Sequence, residues 1–223
     1  MLEDAFALYE DSLIASWRQL ASVDPEGEVI DDSDSVTMSH SHPALRNALL
    51  RSPKGLDRIQ EVFGGHHHAV WVREPGGSLE KAGYRRDERT VPMVLDLASW
   101  DRTPAVPVVR VAPGDVARRS GVDRAVLAGL QSAYGHATER WESWALTMTT
   151  GVVANVSFVA TREEFQRRGL GRAVVTRALL DARHRGERYA TLQSTTAGLS
   201  LYRGLGFRNI GVWQEWIPVR SAP

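Results

Sequence analysis

The 223-residue sequence contains no cysteine and carries no net charge, because 27 lysine and arginine residues balance 27 aspartate and glutamate residues. Without cysteine the chain forms neither disulfides nor thiolate metal sites, which fits a reducing interior. Without net charge it has no overall electrostatic attraction for nucleic acid or an anionic membrane. Its longest apolar runs, such as residues 152–160, are too short to span a bilayer, and residues 1–20 lack the apolar core of a signal peptide. These absences predict a soluble cytoplasmic protein with neither a nucleic-acid nor a membrane partner.

Hydrophobic residues make up 43% of the chain, which is enough for one large core or two modest ones. The first segment predicts an amphipathic helix, because apolar residues recur there at spacings of three and four. They are Leu2, Phe6, Tyr9, Leu13, Trp17 and Leu20. Helical and strand patterns then alternate, as in α/β proteins. In the first hundred residues we expect a loop at 25–34, strands at 35–39, 44–50, 69–73 and 90–97, and helices near 56–63 and 79–82.

Residues 101–107 interrupt this pattern with two prolines and predict a linker between domains 1–100 and 108–223. In the second domain the long helix that opens at Gly169 is expected to stop at Gly186. The pattern predicts strands at 108–111, 144–161 (broken at 149–151), 189–193 and 210–216, and helical residues at 114–134, 169–185 and 199–205.

The segment at 159–172 ends an apolar strand, turns over Gly169 and Gly171, and opens an arginine-rich helix. Glycine has no Cβ to hold an anion away, and the free amides of a helix start point at such a ligand, so the pattern predicts a pyrophosphate site. An ordinary strand-to-helix connection is the alternative. A dinucleotide fold is disfavoured because Val174 occupies the third glycine position, and the chain lacks the phosphate-loop motif of ATPases.

This loop resembles the Gln/Arg-x-x-Gly-x-Gly/Ala signature of the GNAT superfamily, the N-acetyltransferases that use acetyl-coenzyme A, through its run Gln166-Arg167-Arg168-Gly169-Leu170-Gly171. The resemblance covers roughly residues 108–216 and is most specific at 156–207. It implies the acyl-coenzyme A N-acyltransferase fold, an α/β fold with a mixed sheet. It also implies that Val159, Ala160 and Thr161 lie beside the pantetheine arm. The residues whose amides would hold the pyrophosphate are Arg167, Arg168, Gly169, Leu170, Gly171 and Arg172.

Eight arginines lie between residues 162 and 188, against four acidic residues, so this segment is locally positive by four. An anionic cofactor would suit it, and arginine side chains would bind the pyrophosphate or the 3′-phosphate. The alternative is a solvated helix face, which we expect for Arg177, Arg183 and Arg185.

The pattern Tyr-x-x-x-Gly-Phe at residues 202–207 resembles the GNAT element whose tyrosine hydroxyl lies near the thioester sulfur. The resemblance implies that Tyr202 is the general acid, since a phenol with a pKa of about 10 keeps its proton at neutral pH and can give it to a departing thiolate. A packing role is the alternative for this tyrosine. Gly206 and Phe207 are expected to be structural.

The sequence departs from the family pattern in three places. Thr195 stands where many relatives have an asparagine that holds the pantetheine, and its hydroxyl is expected to substitute. The strand at 189–193 carries no carboxylate base, so the base stays open among Glu139, Glu142, Glu164 and water. Only 26 residues separate Tyr134 from Thr161, where the family fits three strands, so one strand is either lost or supplied by the first half.

Five histidines at 40, 42 and 66–68 do not predict a metal site, because adjacent histidines on an extended chain point to opposite faces and no acidic residue completes a zinc spacing. Ser78 begins a Ser-x-x-Lys sequence without the companion motifs of β-lactamases, and is expected to be a helix N-cap. No metal is therefore expected.

The first hundred residues resemble the degenerate amino-terminal half of two-part GNAT proteins, notably at 43–47. Trp71, Tyr84 and Trp100 either line an acceptor pocket or, as we favour, belong to the core. The predicted function is transfer of an acetyl group from acetyl-coenzyme A to a primary amine of an unspecified small molecule or peptide. The alternatives are an acyl-coenzyme A sensor or inactive partner, and an enzyme for longer acyl chains. The oligomeric state stays open.

Overall fold

The computed structural model describes residues 2–73 and 77–219. Its helices are α1 (Leu2–Ser22), α2 (Leu56–Phe63), α3 (Gly77–Lys81), α4 (Pro113–Arg119), α5 (Arg124–Ala128), α6 (Leu170–Arg185) and α7 (Leu199–Leu205). Its strands are β1 (Glu28–Asp31), β2 (Ser35–Ser39), β3 (Asn47–Leu50), β4 (Ala69–Val72), β5 (Tyr84–Asp96), β6 (Val108–Val111), β7 (Ala133–Thr138), β8 (Ser143–Thr150), β9 (Val153–Thr161), β10 (Tyr189–Thr195), β11 (Arg208–Asn209) and β12 (Trp213–Pro218). Within these residues, no helix combines the length and the apolar character needed to cross a bilayer.

The chain divides into two compact units. The described residues of unit 1 are 2–16 and 92–210, and those of unit 2 are 17–73, 77–91 and 211–219. Helix α1 and strand β5 each contribute residues to both units. The predicted linker at 101–107 contains neither helix nor strand, yet the units do not divide there. The division into 1–100 and 108–223 therefore stays a prediction, distinct from the compact units.

Unit 2 contains a mixed sheet in the order β1-β2-β3-β4-β12 followed by the first residues of β5. Strands β3 and β4 are parallel and α2 connects them, whereas the other neighbours are antiparallel. Helix α2 buries Ile59 and Phe63 in a core with Leu79, Tyr84 and Trp216. The helix ends at Gly64, whose φ of 52° is a left-handed conformation that glycine adopts without strain.

Four expectations for unit 2 need correction. Strand β1 lies inside the predicted loop at 25–34; it is a short strand paired to β2 on one side, and its charged ends hide the strand pattern. Strand β3 begins at Asn47 because Pro43 opens a short 3₁₀ helix before it. Strand β5 begins at Tyr84 rather than 90; its exposed residues 85–89 are all charged, and these charges hide the strand pattern. Ser78 lies inside α3 and not at its N-cap, because α3 begins at Gly77.

Unit 1 contains a sheet in the order β5-β10-β9-β8-β7-β6, and β11 pairs with β5. The pairs β6–β7, β7–β8 and β8–β9 are antiparallel, but β10 runs parallel to β9. Helix α6 packs against β7, β8 and β9. It begins after Gly169 and stops at Gly186, both with positive φ, as the sequence predicts. The sheet is mixed, which confirms the predicted α/β class.

The predicted helical segment at 114–134 is helical only in its first part. Two short helices, α4 and α5, occupy its first part, and β7 begins at Ala133. The buried His136 hides the strand pattern of β7, because its Nε2 bonds to Asp181 Oδ2 of α6 (2.8 Å) and makes a polar residue fit the interior. Strands β7, β8 and β9 therefore supply all three strands, and none is lost or provided by the first half.

The three aromatic residues considered for an acceptor pocket have partners within their own units. Trp100 is buried in unit 1, where its Nε1 donates to Leu205 O (2.8 Å). Tyr84 is buried in the unit 2 core. Trp71 is half-buried, and its Nε1 donates to Asn47 Oδ1 (2.9 Å). Tyr84 and Trp100 thus have the core environment that we favoured.

Candidate functional site

Strands β9 and β10 of unit 1 start as a parallel pair and then separate. They pair only where Val153–Asn155 faces Tyr189–Thr191. Strand β9 continues to Thr161 and β10 to Thr195 without further pairing between them. Beyond Asn155 and Thr191, the facing edges of the two strands therefore have backbone groups that do not bond across the gap. We call this opening the fork.

A β-bulge lies on β9 inside the fork. Ser157 pairs with Leu146 of β8 and Ala160 with Trp144, so β9 advances three residues while β8 advances two. The residues between these pairs are Phe158, with a φ of 50°, and Val159. A bulge bends its strand and re-aims the backbone. Val159 thus lies where β9 departs from regular pairing.

The end of β9 is bound to β8 on the side away from the fork. Ser143 Oγ donates to Ala160 O (2.8 Å) and lies 2.9 Å from Thr161 Oγ1. Arg162 N donates to Glu142 O (2.9 Å). These bonds fix Ala160 and Thr161 from one side and leave the other edge of the strand facing the fork.

The loop between β9 and α6 contains two residues with positive φ. After a 3₁₀ turn at Glu163–Phe165, Arg167 has a φ of 61° and Gly169 a φ of 78°. Such a conformation strains a residue with a Cβ, and strained backbone is frequent at binding sites. A Cβ placed on Gly169 would meet no atom within 4 Å, so open space lies beside this glycine.

A row of backbone amides at this loop has no backbone acceptor. Gln166 N still bonds to Glu163 O, and Ala173 N bonds to Gly169 O (3.0 Å). Between them, the amides of Arg167, Arg168 and Gly169 donate to no carbonyl of the described chain. Leu170 and Gly171 are the first two residues of α6, whose amides lack an intrahelical acceptor. The positive end of the helix dipole lies at the same place.

The arginines of this segment differ in what they contact. Arg167 and Arg168 are exposed and form no ion pair with any described residue, although the Arg168 guanidinium lies 5.3 Å from the Phe165 ring centre. Arg162 pairs with Glu164. Arg172 Nη1 donates to Gly204 O of α7 (3.2 Å), so its side chain is bound to protein.

The expectation of a solvated helix face holds for one of its three arginines. Arg177 is exposed and pairs with Asp181 (3.0 Å). Arg183 is half-buried and donates to Trp100 O (2.9 Å). Arg185 is half-buried over the Tyr134 ring, 3.9 Å from its centre. Arg183 and Arg185 therefore stabilise packing in unit 1.

Close packing explains why position 171 is a glycine, whereas the sequence analysis predicted that this glycine leaves space for an anion. Gly171 is buried, and a Cβ there would lie 3.1 Å from Thr161 Oγ1 and 3.2 Å from Leu201 Cδ1. It permits the start of α6 to pack closely against β9 and α7, rather than leaving space for an anion.

Tyr202 lies on α7 with its ring buried and its hydroxyl reaching solvent. The residue is 8% exposed, and its ring meets Phe207 edge-on with centres 5.9 Å apart. The hydroxyl makes no hydrogen bond with a described residue, and its oxygen is not fully buried from solvent. Burial raises the pKa of Tyr202 to about 12. The phenol is therefore protonated at neutral pH and free to donate.

Thr195 is exposed at the end of β10, and its Oγ1 accepts from Gly198 N (3.3 Å). It caps the 3₁₀ turn that leads into α7. The hydroxyl proton of Thr195 is not used by this bond, so the group can still donate to a ligand.

The three carboxylates considered as a base differ in their surroundings. Glu142 Oε2 accepts from Thr138 Oγ1 (2.6 Å), and this bond lowers the pKa of Glu142. Glu139 and Glu164 are exposed. Sequence reasoning missed Glu215 of unit 2. Burial, together with the nearby charges of Asp87 and Glu88, raises the pKa of Glu215 to about 7.

The raised pKa of Glu215 predicts how the free energy of unfolding depends on pH. Its folded pKa lies above its ordinary value of 4.5, so the folded state holds a proton that the unfolded state releases as pH rises from 4.5 to 7. Glu215 therefore destabilises the fold increasingly across this window and fully above it. We expect Glu215→Gln to raise the free energy of unfolding by about 1–2 kcal/mol at pH 8 and to change it little at pH 4, measured by urea denaturation. Exposed Glu80→Gln is the control, and an equal gain for both variants at pH 8 would contradict the assignment.

The histidines are partly structural. His68 is buried, its Nδ1 lies 2.6 Å from His66 O and its Nε2 accepts from the Tyr84 hydroxyl (2.9 Å). His40 is also buried, and its Nδ1 accepts from His42 N (2.9 Å). Over residues 2–73 and 77–219, no three His, Cys, Asp or Glu side chains form a group that could hold a metal ion.

The sequence of residues 118–209 matches the family model of the acetyltransferase (GNAT) domain. The matched segment contains the bulged strand, the fork, the amide row and Tyr202. The chain contains a GNAT acetyltransferase domain. No protein of curated function matches the sequence.

Solved structures extend the similarity over most of the chain. A GCN5-related N-acetyltransferase from Kribbella flavida superposes with a TM-score of 0.70 at 16% identity, covering 95% of this chain and 96% of that one. A GCN5-related N-acetyltransferase-like protein from Streptococcus suis 89/1591 gives 0.64 at 17% identity, covering 90% and 92%. A tandem GNAT protein from the clavulanic acid biosynthesis pathway gives 0.56 at 17% identity, covering 89% and 86%. At these identities the similarity establishes the GNAT fold, which confirms the predicted fold.

Proposed function

We propose that unit 1 binds acetyl-coenzyme A and transfers its acetyl group to a primary amine. The observation that carries this proposal is the row of unbonded amides at 167–171 beside two unpaired arginines, at the end of the β9 edge that faces the fork. A pyrophosphate matches this arrangement, because its oxygens accept several hydrogen bonds and helix starts favour negative charge.

The proposed cofactor lies along β9. Amides of Arg167, Arg168, Gly169, Leu170 and Gly171 bind the pyrophosphate, with the first two side chains adding charge. Arg172 contributes its amide alone, because its side chain bonds to Gly204. The pantetheine arm runs beside Val159, Ala160 and Thr161, and its amide groups bond to the β9 edge and to the Thr195 hydroxyl. The thioester end then points towards the closed end of the fork, where Asn155 and Thr191 still pair.

The proposed reaction is direct attack. The amine nitrogen forms a bond to the thioester carbonyl carbon, and amides of the bulge near Val159 stabilise the oxyanion. The C–S bond then breaks, and the departing thiolate takes a proton from the Tyr202 hydroxyl. The attacking nitrogen releases its proton to water. Leu201, next to Tyr202, contacts the Gly171 region, so α7 lies beside the start of α6.

A second candidate function is an acyl-coenzyme A sensor without transfer. The observation that favours it is the lack of a carboxylate on β9 and β10. Free thiol release from acetyl-coenzyme A, measured with a panel of primary amines, separates the two. Amine-dependent release supports the transferase, and binding without release from any amine supports the sensor. Faster release from a longer acyl thioester would assign the donor to that chain length instead.

We also propose that residues 1–100 form a degenerate GNAT-like region, on the ground that the tandem GNAT likeness covers most of the chain. The proposed location is the cytoplasm, where the proposed donor is available.

A further inference from the structure

A chain of buried side-chain hydrogen bonds connects α1 to the closed end of the fork. Asn155 Nδ2 lies 3.4 Å from Thr191 Oγ1, and Thr191 Oγ1 lies 2.8 Å from Ser12 Oγ. Ser12 Oγ in turn donates to Tyr9 O (2.8 Å). Asn155, Thr191 and Ser12 are each at most 5% exposed. Buried polar groups that are hydrogen-bonded in this way hold one orientation.

The donor of each bond follows from the number of protons. Ser12 has one hydroxyl proton and gives it to Tyr9 O, so the Thr191 hydroxyl must donate to Ser12. The Thr191 oxygen then accepts, and its donor is the Asn155 amide. The chain therefore directs Nδ2 of Asn155 towards Thr191 and Oδ1 away from it.

Asn155 and Thr191 are the last paired residues before β9 and β10 separate. Oδ1 of Asn155 has no hydrogen-bond partner among the described residues, and this oxygen is not fully buried from solvent. One oriented, neutral oxygen, Oδ1 of Asn155, thus lies at the end of the fork that the thioester faces in the proposed complex.

No base accompanies Oδ1 of Asn155 on the two strands. The sequences of β9 and β10 contain no carboxylate, no histidine and no lysine. The nearby Tyr9 hydroxyl donates to Gln193 Oε1 (2.9 Å), and burial raises the pKa of Tyr9. A neutral amine could donate an N–H to Oδ1 of Asn155, but an ammonium group would find no carboxylate on β9 or β10 to pair with or to take its proton.

We propose, on the basis of the acetyl-transfer function above, that Asn155 positions the attacking nitrogen and that the acceptors are weakly basic amines, such as an α-amino group, rather than lysine side chains. The step itself is unchanged: the C–N bond forms, the C–S bond breaks, water takes the proton of the nitrogen and Tyr202 protonates the thiolate. Because β9 and β10 carry no base for an ammonium group, the rate follows the fraction of acceptor that is already neutral.

That fraction separates the two acceptor classes by a large factor. With pKa values of about 7.8 for an α-amine and 10.4 for lysine, roughly one α-amine in seven is neutral at pH 7 but only about one lysine in 2,500. The expected preference in kcat/KM is about 300-fold at pH 7 and about 25-fold at pH 9.

The first test compares two peptides of equal length with the wild-type enzyme and saturating acetyl-coenzyme A. One has a free α-amine and no lysine, and the other has a blocked α-amine and one lysine. We expect the α-amine peptide to be preferred by about two orders of magnitude at pH 7, with the gap narrowing at pH 9. Equal use of both, or preference for lysine at pH 7, would overturn the proposal.

The second test concerns the positioning role. Thr191→Val removes the hydroxyl at nearly constant volume, and Thr191→Ser keeps it as the matched control. We expect Thr191→Val to lower kcat/KM for the amine by about tenfold with acetyl-coenzyme A affinity unchanged, and Thr191→Ser to retain the activity. Asn155→Ala, which removes Oδ1, should give the same loss and serves if Thr191→Val does not fold.

The outcomes distinguish failure of this inference from failure of the proposed function on which it rests. Wild-type transfer with unchanged amine kcat/KM in Thr191→Val and Asn155→Ala would overturn the positioning role and leave the transferase intact. A lower melting temperature with unchanged amine kcat/KM would show a structural role only and overturn it equally. Absence of acetyl-coenzyme A binding by the wild type would overturn both.

Discussion

Tyr202→Phe will lower kcat for acetyl transfer by about 10²-fold or more and leave the affinity for acetyl-coenzyme A nearly unchanged. The substitution removes one hydroxyl and keeps the buried ring against Phe207. The thiolate must then leave without a proton donor, whereas the contacts at the amide row are unaffected. Steady-state thiol release and calorimetric titration of the same preparation measure the two quantities.

Tyr189→Phe is the matched control, because Tyr189 is a half-buried tyrosine at the other end of β10. It should retain wild-type kcat. An unchanged kcat in Tyr202→Phe, or an equal loss in both variants, would remove Tyr202 from the mechanism.

The raised pKa of Tyr202 predicts the basic side of the pH profile. A proton donor with a pKa of about 12 stays in its active, protonated form as pH rises to about 10. The rate should therefore not fall between pH 7 and 10, and it should rise with the neutral fraction of the amine. A decrease with a midpoint below pH 9 would indicate a different proton donor.

Arg167→Ala combined with Arg168→Ala will weaken acetyl-coenzyme A binding by about 10²-fold, since each charge-assisted bond contributes about 1.5–3 kcal/mol and part of that is lost to solvent exposure. Both side chains are exposed and lack an ion-pair partner among the described residues, so their removal disturbs little packing. Kd is measured by calorimetry at two salt concentrations, and the wild-type affinity should fall with added salt more steeply than that of the variant.

Arg177→Ala is the control for this pair, because Arg177 is exposed on α6, the helix that follows this loop, but is paired with Asp181. It should bind acetyl-coenzyme A as the wild type does. Equal affinity in the double variant and the wild type would show that these arginines do not contact the cofactor.

Local signals made much of the fold predictable. Helix α6 has glycine at both ends and a buried apolar stripe, and helix α2 has a strong amphipathic pattern, so their bounds follow from the residues. Strands β1 and β7 and the first half of β5 carry charged or polar residues whose place depends on partners far along the chain. Pattern alone could not find them, because tertiary contacts decide their conformation.

The candidate site was predictable to a similar extent. Gly169 and Tyr202 belong to short motifs, and their positions follow from residue type and spacing. The fork and bulge depend on register between strands, and the bond between Ser12 and Thr191 joins residues 179 positions apart. The hydrogen bond from the Arg172 side chain to Gly204 O depends likewise on how α6 and α7 pack, so the sequence could not show that this side chain is already bound.

Calorimetric titration of the wild-type protein with acetyl-coenzyme A, and in parallel with S-acetylpantetheine, tests the central claim most directly. The two ligands share the thioester and the pantetheine arm, but the second lacks the pyrophosphate. We expect one binding site for acetyl-coenzyme A and at least about 10²-fold weaker binding of S-acetylpantetheine. No binding of acetyl-coenzyme A, or equal affinity for both ligands, would contradict a pyrophosphate site at the amides of residues 167–171.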